Sequence, residues 1–229
     1  MNYYIDMTQK QDIFTVLSGK VKFNRTKYNL TSDAVWLAAA AKPVKNILDV
    51  GIGTGGVCFC ILEHNPGANI TGLDISQEML DSCDANAKLN GKQLELINAD
   101  INNWKTDRTF DMVITNPPYF TGSPAKHNAH HNADLIKWTE KCLSRIRPMG
   151  YFCTILDAGV ISKVIFTLEK KCGDITIIPL FGSKNTAERV IITAKLGSHG
   201  KTVLFAGIPM NCDDILRDGL TIDTVLDRL

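Results

Sequence analysis

From Asn46 onward, short apolar runs alternate with amphipathic stretches of helical period, and this alternation constrains the fold more than any other feature. Strands are predicted over 46–50, 69–73, 94–98, 110–115, 151–156, 175–179 and 189–195. Ser76 is placed to cap a helix over 76–90, along which Met79, Cys83 and Ala87 recur every four residues, with Gly91 just past its end. A second helix is predicted over 132–147, stopped by Pro148. A short alanine-rich helix over 33–41 precedes the sheet, with Thr31 or Ser32 as its cap and Pro43 closing it. The pattern predicts an α/β fold: a seven-stranded, mostly parallel sheet with helices on both faces.

The 229 residues contain no internal repeat and no linker, so one domain is expected. Residues 1–45 read as an N-terminal extension packed on it, strand and loop over 1–30, with 46–195 as the core sheet and 196–229 as a C-terminal strand near 202–208 followed by helix. No apolar run reaches the roughly 18 residues of a membrane span. The first twelve residues lack the basic start and apolar stretch of a signal peptide, so the expected compartment is the cytoplasm. The seven cysteines are odd in number and form no CxxC pair, which argues against a disulfide framework and against a metal site.

Net charge is +1, so bulk electrostatics announce no nucleic-acid partner. The distribution is more informative. Lys20, Lys22, Arg25 and Lys27 fall within eight residues free of acids, while the last seventeen residues carry five aspartates against two arginines. The basic run reads either as a solvated surface or, with Lys126, His127, His130 and His131, as an RNA-facing rim.

The segment Ile47–Gly56 is a buried strand entering a glycine-rich turn that opens a helix. Gly51, Gly53 and Gly55 let the backbone turn tightly and a ligand approach closely. Asp74 follows at the end of the next strand, where a carboxylate can accept hydrogen bonds from both hydroxyls of a ribose. Helix capping is the competing reading of Asp74. NAD enzymes share this arrangement, but their fingerprint prefers G-x-G-x-x-G, whereas this chain reads G-x-G-x-G-G. Asp100, after the third strand, reads either as a second ligand-facing acid or as an organiser of a local turn.

The most specific motif is Asn116-Pro117-Pro118-Tyr119, directly after the strand that ends at Thr115. Two prolines stiffen the loop and remove two backbone donors, leaving their carbonyls as acceptors. A nitrogen conjugated to a π-system is a poor nucleophile because its lone pair is delocalised. If the Asn116 side-chain oxygen and the Pro117 carbonyl accept its two hydrogens, the lone pair is aimed at a methyl donor without a strong general base. Tyr119 supplies a face on which a base can stack.

With these motifs in place, the stretch from Phe23 to Lys195 resembles the bacterial tRNA1(Val) adenine-37 N(6)-methyltransferases, a branch of the small-domain methyltransferases. The wording Ile47–Gly55 is similar to the first motif of class I enzymes, Lys27–Ala39 to the family's segment ahead of the glycine loop, and Ala187–Lys195 to its late strand. The resemblance implies a Rossmann-like class I fold and S-adenosylmethionine as cofactor. It implies cofactor contacts from Asp33, Asp49, Gly51, Gly53, Gly55, Asp74, Ile75, Asp100, Ile101 and Asn116, and an RNA acceptor, in particular adenine N(6) in tRNA. The chain departs from the family after the catalytic loop, where Ala129-His130-His131-Asn132 replaces the usual Ala-Arg-x-Glu.

Protein glutamine N(5)-methyltransferases acting on release factors use the same Asn-Pro-Pro-Tyr motif, but with a helical N-terminal domain. Only about 45 residues precede the core here, too few for one. Guanine N(2) methyltransferases of ribosomal RNA are a further alternative and have longer, duplicated chains.

Overall fold

The computed structural model describes residues 13–26, 30–117 and 128–228, the last without the side chains of 128–134. A hairpin comes first, β1 (Ile13–Val16) and β2 (Val21–Asn24), followed by α1 (Ser32–Ala39). The sheet then begins: β3 (Asn46–Val50), α2 (Gly56–His64), β4 (Asn69–Asp74), α3 (Gln77–Leu89), β5 (Glu95–Asn98) and β6 (Phe110–Thr115). Beyond α4 (Asn128–Leu143) come β7 (Ile146–Asp157), α5 (Ile161–Leu168), β8 (Cys172–Phe181) and β9 (Ala187–Leu196). The chain ends in β10 (Val203–Leu204), β11 (Ile208–Pro209), α6 (Asp213–Leu216) and α7 (Ile222–Leu226).

All seven predicted sheet strands form, in the spatial order β5-β4-β3-β6-β7-β9-β8, with β10 and β11 added as two-residue pairings on β8. Every long strand is parallel to its neighbour except β9, which runs antiparallel between β7 and β8. Counting the seven in chain order gives 3-2-1-4-5-7-6, which differs from the 3-2-1-4-5-6 of dinucleotide-binding sheets by that inserted last strand.

Side chains alternate between two cores, as the period of a strand requires. Ile47, Met112 and Ile114 face α1, α2 and α3, where Trp36 and Phe59 are buried; Leu48, Val50 and Val113 face α4 and α5, against Leu143, Val164 and Leu168. Each such side chain contributes about 1.5–3 kcal/mol on burial. Helix α1 is buried on all sides, and its alanines allow that close packing. Ser76 caps α3 as expected, its Oγ accepting from Met79 N at 3.4 Å.

Two expectations need correction. The second helix ends at Leu143 instead of running to Arg147, and β7 passes through Pro148. Between the pairings Phe110–Ile146 and Met112–Tyr151 the strand bulges, with Met149 at φ 62°. A proline in a bulge forfeits no ladder bond, so Pro148 interrupts nothing. Arg147 Nε donates to Asp111 Oδ1 across the bulge and holds the Asp111 carboxyl below its ordinary range. The second correction is at the C-terminus, where the predicted strand over 202–208 reduces to β10 and β11, and the predicted helix splits at Gly219.

Candidate functional site

The parallel strands β3 and β6 pair through Val50–Thr115, and the chain leaves them in different directions. From Val50 it turns into the glycine loop and α2; from Thr115 it continues into Asn116 and Pro117. The strand order reverses between β3 and β6, and the crevice outside the carboxyl ends at such a point is where open α/β sheets bind ligands.

Gly51, Gly53 and Gly55 all have positive φ, at 77°, 55° and 91°. Gly51 N and Ile52 N both donate to Leu73 O, at 2.7 and 3.1 Å, which pins the loop to the end of β4. At Gly55 a Cβ would collide with the Phe59 ring as well as strain the backbone, so no other residue fits. At Gly53 a Cβ would meet nothing within 4 Å, so this part of the loop faces open space.

Asp74 accepts from Gly53 N and from Ser76 N, both at 2.9 Å, one on each carboxylate oxygen. The helix cap itself is Ser76, so the capping reading of Asp74 does not hold. A carboxylate offers about four lone-pair sites, and these two bonds leave two for a ligand. Ile75 beside it is 73% exposed, an apolar surface at the mouth of the crevice. Asp100 accepts from Asn102 N and the Asn102 side chain on one oxygen and from the Asn103 side chain on the other, so it organises a turn while standing at the same edge. Ile101 is buried beneath it.

Asp49 lies beneath the loop and is 1% exposed. Burial pushes its carboxyl up to about 8, with the negative charge of Asp74 adding to the effect, and Asp49 Oδ2 finds no hydrogen-bond partner among the described residues. Across the crevice, Asn116 is half-buried, and its Oδ1 is also buried without a partner among the described residues. Pro117 is buried next to it. Pro118, Tyr119, Lys126, His127 and Lys27 lie outside the described residues, as do the side chains of His130 and His131.

The remaining basic residues are spread along the hairpin. Lys20 Nζ donates to Asp218 O at 3.3 Å, at the turn far from the crevice; Lys22 is exposed mid-strand; Arg25 lies over the Phe14 ring at 5.9 Å. Asp33 is 5% exposed on α1 and accepts from Arg189 Nε of β9 at 3.0 Å.

Three residues that the sequence reading passed over shape this edge. Asn86, buried in α3, accepts from Asn24 N and Asn24 Nδ2 and donates to Thr54 O, tying the hairpin to the glycine loop. An asparagine amid the apolar positions of α3 was the available signal. Thr115 Oγ1 donates to Val50 O at 2.7 Å and accepts from Trp138 Nε1 of α4 at 3.2 Å. A cleft of about 640 Å³ opens at the opposite edge, among Asn46, Asn69, Glu95 and Arg108, away from all of these groups.

The family model described as "Methyltransferase small domain" matches residues 14–175. The tRNA1(Val) (adenine(37)-N6)-methyltransferase of Glaesserella parasuis is 29% identical over 144 residues, 57% of this chain and 60% of that protein, so the match spans under two thirds of its length. The protein of the same name from Phocaeicola vulgatus is 28% identical over 214 residues, 89% of this chain and 86% of its own. Among solved structures, a predicted O-methyltransferase from Agrobacterium tumefaciens superposes with a TM-score of 0.69 at 21% identity, covering 82% of this chain and 97% of that one. The 16S rRNA N2 G1207 methyltransferase of T. thermophilus, in complex with AdoMet and guanosine, gives 0.59 at 18% identity over 77% of this chain and 47% of its own.

Proposed function

The chain belongs to the methyltransferase small domain family, and from that premise we propose that it methylates an exocyclic amino nitrogen, that of adenine N(6) in tRNA. The observation carrying this reading is the Asn116 side-chain oxygen Oδ1, buried at the end of β6 without a partner among the described residues. A buried acceptor without a donor costs about 1–3 kcal/mol. An amino group entering the crevice supplies the missing donor.

The residues present fit S-adenosylmethionine, which when bound supplies a methyl group on a sulfonium sulfur. The open face at Gly53 leaves room for it, the free lone pairs of Asp74 suit ribose hydroxyls, and exposed Ile75 suits an adenine face. Asp49 Oδ2, without a partner among the described residues, lies beneath the loop, and a cationic ligand there would favour the ionised form of that carboxyl. On the acceptor side, Asn116 Oδ1 and the Pro117 carbonyl take the two amino hydrogens and turn the lone pair toward the methyl carbon. With the cofactor bound, the nitrogen would take the methyl carbon as its carbon–sulfur bond breaks, leaving a neutral thioether, and would release one proton to solvent. Orientation and preorganised acceptors supply the rate, with no strong base needed.

The tRNA reading draws support from two tRNA-modifying relatives and from Lys22 and Arg25 on the hairpin docked to the glycine loop. We place the reaction in the cytoplasm, where the seven thiols, six of them buried, stay reduced. Among the described residues no helix is long and apolar enough to cross a membrane. The test is labelled methyl transfer from S-adenosylmethionine into total RNA, DNA and protein from cells lacking the enzyme. Label recovered as N(6)-methyladenosine in the tRNA fraction is the expected result; label in protein glutamine assigns the release-factor activity instead.

A further inference from the structure

We infer that Trp138 is a positioning residue that sets the gap between the cofactor loop and the Asn116 acceptor; this rests on the methyl-transfer reading of the crevice. Its indole bridges the two strands whose ends make the site. Trp138 Nε1 donates to Thr115 Oγ1 at 3.2 Å, and Thr115 Oγ1 in turn donates to Val50 O at 2.7 Å. Thr115 immediately precedes Asn116, and Val50 immediately precedes Gly51. The same indole lies against the first glycine: a Cβ on Gly51 would stand 3.8 and 3.9 Å from its six-membered ring.

One side chain thus contacts both walls of the crevice, by a hydrogen bond on the acceptor side and by its six-membered ring on the cofactor side. It comes from α4, the helix that follows the Asn-Pro-Pro-Tyr segment, and a relay through a buried hydroxyl has one geometry that satisfies all three groups. Thr115 Oγ1 is fully buried, so without the indole N–H it loses its only donor among the described residues. Methyl transfer depends on sub-ångström placement of the reacting atoms, which a loosened relay degrades.

Trp138→Phe keeps an aromatic ring over Gly51 and removes the N–H; Thr115→Val removes the hydroxyl at nearly constant volume; Thr115→Ser restores it. The expected outcome is a single-turnover rate lowered on the order of 10- to 100-fold in Trp138→Phe and in Thr115→Val. S-adenosylmethionine affinity should stay near wild type and the melting temperature fall by only a few degrees, with the rate recovered in Thr115→Ser. The double variant should be no slower than the slower single one, because both break the same link. A wild-type rate in Trp138→Phe, or rate losses that multiply in the double variant, overturns the inference.

A second measurement does not depend on turnover. The indole N–H resonance of Trp138, identified by its loss in Trp138→Phe, should shift when S-adenosylmethionine is added, while that of buried Trp36, bonded to Met210 O, stays put. An unmoved Trp138 resonance at saturating cofactor rejects the placement. If the wild-type protein binds cofactor and shifts Trp138 yet methylates neither RNA nor protein, the functional reading fails and the positioning of Trp138 at the cofactor loop stands.

Discussion

Asp33 and Arg189, 156 residues apart, form an ion pair at 3.0 Å between the N-terminal turn of α1 and the start of β9. These two segments, Lys27–Ala39 and Ala187–Lys195, are among those whose wording resembles the tRNA-modifying family. Arg189 reaches Asp157 at the end of β7 as well, at 3.5 Å. The pair therefore fastens α1, which abuts the glycine-loop helix at Gly56 through Leu30 and Ala34, to the far half of the sheet.

Arg189→Ala leaves a nearly buried carboxylate without its guanidinium and should lower unfolding stability by roughly 2–4 kcal/mol. Combining it with Asp33→Asn should return part of that loss, since the carboxylate that faced the guanidinium is gone. Urea denaturation of the two single variants and the double variant measures the coupling. Strict additivity would show that the pair acts as two independent surface charges.

Asn116→Ala should slow single-turnover methyl transfer by about 100- to 1,000-fold, the usual cost of one preorganised acceptor. Its melting temperature should change little, because the buried Oδ1 it removes has no partner among the described residues. Near-wild-type turnover would move the chemistry elsewhere.

Asp74→Ala should weaken S-adenosylmethionine binding by on the order of 2 kcal/mol. The structure adds a second term, because Gly53 N and Ser76 N lose their acceptor and the loop loosens. Asp74→Asn keeps one acceptor oxygen and should sit between Ala and wild type. Calorimetric titration ranks the three; unchanged affinity in the alanine variant would remove Asp74 from the cofactor site.

Asp49 gives a pH dependence with a definite sign. Its carboxyl is raised by burial and by Asp74, to about 8 in the folded chain, so the fold favours the protonated form. Stability from this group is fully present below the ordinary carboxylate value. It is lost as pH rises toward 8, at roughly 1 kcal/mol per pH unit. Asp49→Asn removes that slope, so the variant should gain on wild type steadily between about pH 4 and 8. Parallel stability curves across that window would contradict the assignment.

The sheet was readable from the sequence because its strands are short apolar runs punctuated by glycine and acid, and these are local signals. Asp74 and Asn116 were readable as candidates because one closes a strand and the other directly follows one. Trp138 was not: its hydrogen bond goes to Thr115, 23 residues away, and no local pattern marks that pairing. Asn86 was hidden in the same way behind a non-local partner, Asn24. Pro148 misled because a helix stop and a strand bulge use the same residue, and only the register with β6 tells them apart. Asp100 organises a local turn through Asn102 and Asn103, donors within three residues of it, and its cofactor contact is a proposal beside that.

The antiparallel strand β9 has a consequence for how the chain assembles during synthesis. It is translated after β8, yet it lies between β8 and β7. Until Ala187–Leu196 leaves the ribosome, β7 carries an open edge and β8 has no neighbour within the sheet to dock on. Any product cut short before Ala187 would expose that edge, and exposed strand edges recruit other chains. Closure of the sheet, and with it the Asp33–Arg189 clasp, is a late event that separates finished molecules from unfinished ones.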